Sequence, residues 1–161
     1  MNKSSAKRAI RSRKGMTGMM EIAASALFLV VLALLGLDIC MAIFGASMND
    51  RACHDAARAA AAANTSAKAW NLAQTALKAY SADGVFVIAP QLLSGTGQYA
   101  YQDFNGTPPP DTSPYVTVTT QTVVRIPAPI FFYGASFLKD GKAQFVQRYT
   151  YPIIKSQLLK S

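Results

Sequence analysis

Two acidic residues interrupt the most apolar part of this sequence. Glu21 stands at the N-terminal edge of an uncharged run, residues 22–37, and Asp38 ends that run. On a helix their side chains would lie about 25 Å apart, too far to form a catalytic pair of carboxylates. Glu21 is also favoured by the positive end of a helix dipole. Asp38 suits a position near a membrane interface, where it reaches toward water at little cost.

Few other residues offer catalytic or metal-binding chemistry. His54 is the single histidine, and the neighbouring Cys53 points about 100° away from it on a helix, so the two make no metal site. Cys40 and Cys53 would be about 20 Å apart on one helix, too far for a disulfide within the chain. Phosphate-binding glycine loops and nucleophile elbows are missing from the sequence. We expect no enzymatic activity, no metal and no cofactor.

The positive charge precedes the apolar run. The formal net charge is +8, and six of the 16 basic residues lie within the first 14 positions, so the rest of the chain is nearly neutral. This distribution disfavours a nucleic-acid-binding domain, and no nucleic acid partner is expected. The six basic residues within the first 14 positions, here called the basic head, have an alternative interpretation. They could form a tail that binds nucleic acid or lipid.

An apolar stretch of membrane-spanning length follows the basic head. If Asp38 is tolerated, it covers residues 22–44, enough to cross about 30 Å of hydrocarbon and longer than the core of a secretory signal. Basic flanks stay in the cytoplasm, so the C-terminal part is expected on the other side of the membrane. The Ala-rich continuation favours one helix over residues 16–63.

The outer part predicts a second helix and a small antiparallel sheet. Thr65 and its neighbours supply capping hydroxyls for a helix over 67–82, with Trp70 on its packing face or in an interfacial aromatic belt. A short run of β-branched and aromatic residues at 85–88 and the Val/Thr alternation at 115–126 predict strands. Asp140-Gly141 is a hairpin signal between strands at 135–139 and 142–151.

The predicted fold class is therefore α+β, in four segments. These are a basic cytoplasmic leader (1–15), a transmembrane helix (16–48), an outer helical segment (49–82) and an antiparallel β domain (83–161) with a long loop at 92–114. In that loop Tyr99, Tyr101 and Phe104 either serve a partner or fold back on the sheet. The apolar residues Ile130, Phe131 and Phe132 either contact a membrane or a neighbouring subunit, or lie buried under the sheet.

The segment from Lys14 to Ala61 resembles the N-terminus of TadE-like minor pilins, the pseudopilins of the tight-adherence (Tad) pilus system. The shared features are a basic leader, a glycine, Glu21 at the start of a long apolar helix, Asp38 about 17 residues later, and an Ala-rich stretch with Arg58. The resemblance covers about 48 residues. It implies a pilin-like arrangement in which the N-terminal helix lies against an antiparallel sheet.

The resemblance also implies processing, partners and a location. A prepilin peptidase would cleave after Gly15, making Glu21 the sixth mature residue, or after Gly18, making it the third; the usual position is the fifth. Glu21 would set register by pairing with a neighbour's α-amino group, and Asp38 and Arg58 would serve helix packing. The partners would be other pilin-like subunits, the peptidase, an assembly platform and membrane lipid.

The expected function is to initiate or cap a Tad-type pilus. The protein would be a single-pass protein of a bacterial inner membrane, with a cytoplasmic N-terminus and a periplasmic C-terminal domain, which enters the pilus or lies under it after assembly. The alternative is a single-span envelope protein that does not polymerise and whose outer domain binds a ligand or partner.

Overall fold

A long helix begins the chain. The structure, a computed structural model, describes residues 3–126 and 141–153, with side chains from residue 18 onward. Helix α1 (Lys3–Ala61) includes the basic head, so it begins earlier than the predicted residue 16. No proline interrupts the head, and its Lys, Arg and Ala residues are good helix formers. Within α1, Gly18–Ala61 is long and apolar enough to cross a membrane or to serve as a signal sequence.

The chain divides into two compact units, Met1–Ile39 and Cys40–Ser161. In the first, the side chains of residues 19–34 are exposed, including large apolar ones such as Phe28 and Leu29. The second, here called the sheet unit, contains the remainder of α1, helix α2 (Ser66–Lys78) and the β-strands.

Helix α2 begins where the capping residues predict it. The Thr65 side chain accepts a hydrogen bond from the Lys68 backbone N–H at 3.4 Å, which satisfies one of the free donors of the first turn. Ala69, Ala73 and Leu77 form its buried face. The helix ends at Lys78, four residues before the predicted end.

The antiparallel sheet is built around strand β3 (Tyr115–Arg125). Strands β1 (Gln91–Leu92) and β2 (Ala100–Gln102) both pair with it, and β4 (Lys142–Pro152) pairs along its whole length. Thr117 pairs with Ala100 and Thr150, so β2 and β4 occupy opposite edges of β3. The partner of β4 among the described residues is therefore β3, whereas the predicted strand 135–139 lies outside them.

Two other sequence predictions about the sheet need correction. The segment 85–88 forms only an isolated bridge, between Val87 and Val124, because the Asp83 side chain takes the backbone N–H groups of residues 85–87. The predicted loop 92–114 contains β2 and a 3-10 turn at Phe104–Gly106. β2 is held by pairing with β3, a contact that local sequence does not reveal.

A face of small residues brings α1 close to β3. Five residues at consecutive turns of α1 are fully buried: Ala52, Cys53, Ala56, Ala57 and Ala60. They pack with Val116 and Val118, which are also fully buried and contribute about 1.5–3 kcal/mol each by leaving water. Short side chains let the helix lie directly on the strand.

The closest approach is at Gly45. A Cβ atom there would overlap Cγ2 of Val124, which is itself fully buried between Met48 and Val87. Since Gly45 lies against Val124 and Cys53, two turns later, donates to the Val118 carbonyl, β3 runs antiparallel to α1. The hairpin end of β3 and β4 therefore lies beside the part of α1 near residues 41–48.

We predict that Gly45→Ala destabilises the sheet unit by about 1–2 kcal/mol. Val124 is β-branched and enclosed, so it cannot swing away, and the overpacking cost exceeds the gain in helix propensity. Urea unfolding in detergent, followed by Trp70 fluorescence, measures the change. Gly36→Ala is the matched control, because a Cβ at Gly36 meets nothing within 4 Å. Equal midpoints for the two variants would contradict the close approach.

Candidate functional site

Asn49 is the polar residue that attaches α1 to the sheet. Its side chain is completely buried between α1 and the two long strands. The amide nitrogen Nδ2 donates to the carbonyl oxygens of Phe145 at 2.9 Å and Thr120 at 3.4 Å. The oxygen Oδ1 accepts from the hydroxyls of Thr120 at 2.9 Å and Thr122 at 3.2 Å. All four hydrogen-bonding positions of the amide are therefore used.

Cys53, one turn further along α1, makes a similar contact. Its thiol donates to the carbonyl oxygens of Val118 at 3.5 Å and Gln147 at 3.3 Å. Burial raises the pKa of this thiol above its ordinary value, so it stays protonated and unreactive at neutral pH. Cys53 is thus a buried packing residue and not a surface cross-linking site, whereas Cys40 is exposed.

Two aspartates on α1 hold tyrosines from other elements. The hydroxyl of Tyr149, on β4, donates to Asp50 Oδ1 at 2.8 Å. The hydroxyl of Tyr80, just after α2, donates to Asp55 Oδ2. The Tyr80 hydrogen bond, followed by that of His54, lowers the pKa of Asp55, and the same bond raises the pKa of Tyr80. These contacts attach the exposed flanks of α1 to β4 and to the residues that follow α2.

His54 contacts two tyrosines of β4 and the neighbouring aspartate on α1. Its ring meets those of Tyr149 and Tyr151 edge to face, with centroids 5.6 and 5.5 Å away. Its Nδ1 lies 3.3 Å from Asp55 Oδ1. Within the described part of the chain, no group of three His, Cys, Asp or Glu residues could hold a metal ion.

Two of the aromatic residues in the 92–114 segment, Tyr99 and Tyr101, fold back on the helices. Tyr99 donates to the Ser66 carbonyl at 3.1 Å and meets Trp70 edge to face with ring centroids 4.9 Å apart. Tyr101 donates to the Ala63 carbonyl at the same distance. Both tyrosines thus fasten the connection between α1 and α2.

The residues that the sequence singles out do not form one cluster. Glu21 is exposed on the apolar half of α1, and neither an ion pair nor a hydrogen bond engages it within the described residues. Arg58 is exposed in the last turn of α1, where a cation suits the helix dipole. Gly15 and Gly18 lie within α1, whereas Ile130, Phe131 and Phe132 are outside the described residues.

Asp38 differs from the expected exposed carboxylate. Its side chain is only 7% exposed, and its Oδ1 has no hydrogen-bond partner among the described residues. The Asp38 carboxylate is therefore enclosed and does not reach toward water.

Sequence reasoning did not identify Asn49. One feature of the sequence could have indicated it. Asn49 is polar, yet helical spacing places it on the packed face of α1 with Met48 and the alanines. Its partners are 71 to 96 residues away in sequence, so they become visible only in the fold.

Searches against protein-family models, curated proteins and solved structures find no match to this chain.

We predict that Asn49→Ala loosens α1 from the sheet. The substitution leaves two hydroxyls and two carbonyls without their buried partner, which costs about 2–3 kcal/mol. In a Cys40→Ser background, maleimide labelling of Cys53 should become roughly 30- to 150-fold faster. Asn71→Ala, at an exposed position on α2, is the control and should leave labelling slow. Protection of Cys53 retained in Asn49→Ala would show that the amide does not hold the helix.

The Tyr80–Asp55 bond predicts a pH dependence of stability. Because folding raises the pKa of Tyr80, its contribution is present below about pH 10 and is lost as pH rises through the folded pKa. Because folding lowers the pKa of Asp55, its contribution is present above its unfolded pKa and is lost as pH falls through the folded pKa.

Tyr80→Phe should remove the dependence at alkaline pH and reduce that at acid pH, where the hydrogen bond from His54 still lowers the pKa of Asp55. It should also lower the stability at about pH 7 by under about 1 kcal/mol, because the pair is exposed to water. Urea midpoints measured across pH test this, with Tyr115→Phe as control, since the Tyr115 hydroxyl makes no hydrogen bond to the residues described. Parallel pH curves for wild type and Tyr80→Phe would refute the role of the bond.

Proposed function

We propose that this chain is a minor pilin of a Tad-type pilus, which initiates or caps the fibre by packing its N-terminal helix against other pilin-like subunits. In this proposal the protein is inserted in a bacterial inner membrane with its basic head in the cytoplasm and the sheet unit in the periplasm. A prepilin peptidase removes the head after Gly15 or Gly18. Catalysis has no part in the proposal.

The observation that carries the proposal is the contrast between the two parts of α1. The large apolar residues between positions 19 and 34 are 40–76% exposed, whereas the part after Gly45 is locked onto β3 by small side chains and by Asn49. A long apolar surface without cover requires a lipid or protein partner. A helix held firmly at one end can enter a bundle of like helices and carry its sheet unit along.

Glu21 supports the assembly role more specifically. It is the only glutamate in the chain, and it lies at the N-terminal edge of the exposed apolar surface. A carboxylate at this depth is costly unless it gains a partner, and the α-amino group of a cleaved neighbour is a suitable one. Such an ion pair would specify how far an incoming subunit inserts.

Asp38 and Arg58 have different roles in the proposed assembly. Asp38 is buried and has an unsatisfied oxygen among the described residues, which supports a packing role. Arg58 is exposed beside Asp55, whose pKa it helps to lower after the two hydrogen bonds to that carboxylate. Arg58 is therefore available at the surface of α1 for a neighbouring subunit.

Glu21→Ala tests the proposal. Membrane insertion should be unchanged, because the substitution only removes a charge from an apolar helix, while co-assembly with pilin-like partners should fall at least tenfold. Cross-linking in cells and recovery of sheared filaments measure assembly, and resistance to alkaline extraction measures insertion. Glu21→Gln should fail like Glu21→Ala, since the ion pair needs the charge.

Asp111→Asn is the matched control, because it neutralises an exposed acid outside α1. It should assemble normally. Normal assembly of both Glu21 variants would instead support the alternative, a single-span envelope protein whose outer domain binds a partner without polymerising.

A further inference from the structure

An apolar groove lies on the sheet unit between α1 and the residues that follow α2. Its volume is about 620 Å³. One wall is a stripe of α1, from Cys40 through Phe44 and Met48 to Arg51, and the other is formed by residues 79–81. The stripe follows the spacing of one helix face, so the groove runs along the helix axis.

The two ends of the groove differ in chemistry. Toward the N-terminus of α1, the adjacent residues Ile43 and Phe44 are about 60% exposed and together form an apolar patch. Toward the other end are Arg51, which is exposed, and the hydroxyls of Ser47 and Ser81. Arg51 makes no ion pair within the part of the chain that the structure describes.

The Arg51 guanidinium matches the depth of a lipid phosphate. The apolar stretch ends at Phe44, and the headgroup layer beyond the hydrocarbon is about 5–7 Å thick. Arg51 is seven residues further, about 10 Å along the axis. Its side chain leans back toward the N-terminus of the helix and can extend several ångströms, which brings its charge to the headgroup layer.

We propose that this groove binds an anionic phospholipid of the outer leaflet, with an acyl chain along Ile43 and Phe44 and the phosphate on Arg51. The inference rests on the proposed membrane insertion of α1. Charge complementarity selects this occupant, because a hydrocarbon chain with a negative head satisfies both ends of the groove. A second apolar helix would cover Ile43 and Phe44 but leave Arg51 without a counter-charge.

A bound lipid would have a definite consequence for the proposed assembly. Ile43, Phe44 and Met48 belong to the face of α1 beside its locked region, so a lipid there shields this face in the membrane. A subunit that leaves the bilayer has to exchange the lipid for a protein neighbour. The groove then contributes to keeping an unassembled subunit in the membrane.

The test uses a fluorescent reporter in the full chain. Phe44→Trp combined with Trp70→Phe leaves one tryptophan, in the groove. The protein is reconstituted in phosphatidylcholine vesicles that contain either brominated phosphatidylglycerol or brominated phosphatidylcholine, since bromine quenches tryptophan on contact. We expect roughly fivefold stronger local enrichment of the anionic lipid, the preference expected from one basic residue at the surface.

Substitutions of Arg51 test whether its charge causes the preference for the anionic lipid. Arg51→Gln should abolish the preference, and Arg51→Lys should keep most of it. Arg58→Gln, two turns further along the same helix, should leave it unchanged. For the unaltered chain, native mass spectrometry from mixed-lipid nanodiscs should find phosphatidylglycerol retained over phosphatidylcholine. Equal retention of the two lipids would overturn the inference.

Other outcomes separate this inference from the proposed function. Equal quenching by both brominated lipids, in a protein that resists alkaline extraction, refutes the groove site and leaves membrane insertion intact. Quenching by neither lipid in an inserted protein means that the groove is covered by protein, which also refutes the lipid site. Extraction of the protein at alkaline pH refutes insertion itself, and the proposed function with it.

Discussion

The close contact between α1 and β3 determines how the other elements of the sheet unit can pack. Gly45 and the alanines after it remove the side chains that would hold the helix away, and Val116, Val118 and Val124 fill the space between. A helix this close to the sheet covers strand carbonyls and threonine hydroxyls, which would then lack hydrogen-bond partners. Asn49 and Cys53 meet that cost by hydrogen-bonding to the strands. Small residues and a satisfied amide are therefore needed together.

Once α1 is fixed on the sheet, the other elements follow from contacts with it. Tyr149 and Tyr80 reach the aspartates on its two flanks, and Tyr101 fastens the turn that leads to α2. Over residues 19–34 the apolar surface of α1 is exposed. That surface is the physical reason for proposing an assembling membrane protein, since a bilayer and a bundle of like helices are the two environments that would cover it.

The elements predicted correctly from sequence are those with a strong local cause. The Val/Thr alternation before Pro127 marks β3, Thr65 marks the start of α2, and Pro152 marks the end of β4. Features that depend on distant partners were missed: β2 exists because Ala100 and its neighbours pair with β3, and Asn49 matters because Phe145 is 96 residues away. Asp38 was expected near water because its position on the helix was known and its surroundings were not.

The mass of the mature protein decides whether the chain is processed as the proposed pilin-like subunit would be. Mass spectrometry of the protein extracted from membranes of its source cells should give a chain that begins at Met16 or Met19, because cleavage after Gly15 or Gly18 removes the basic head. The mature chain then carries a nearly neutral side-chain charge, since most of the net +8 belongs to that head. A mature protein that keeps Lys3 through Lys14 intact would contradict the account and favour a simple membrane anchor.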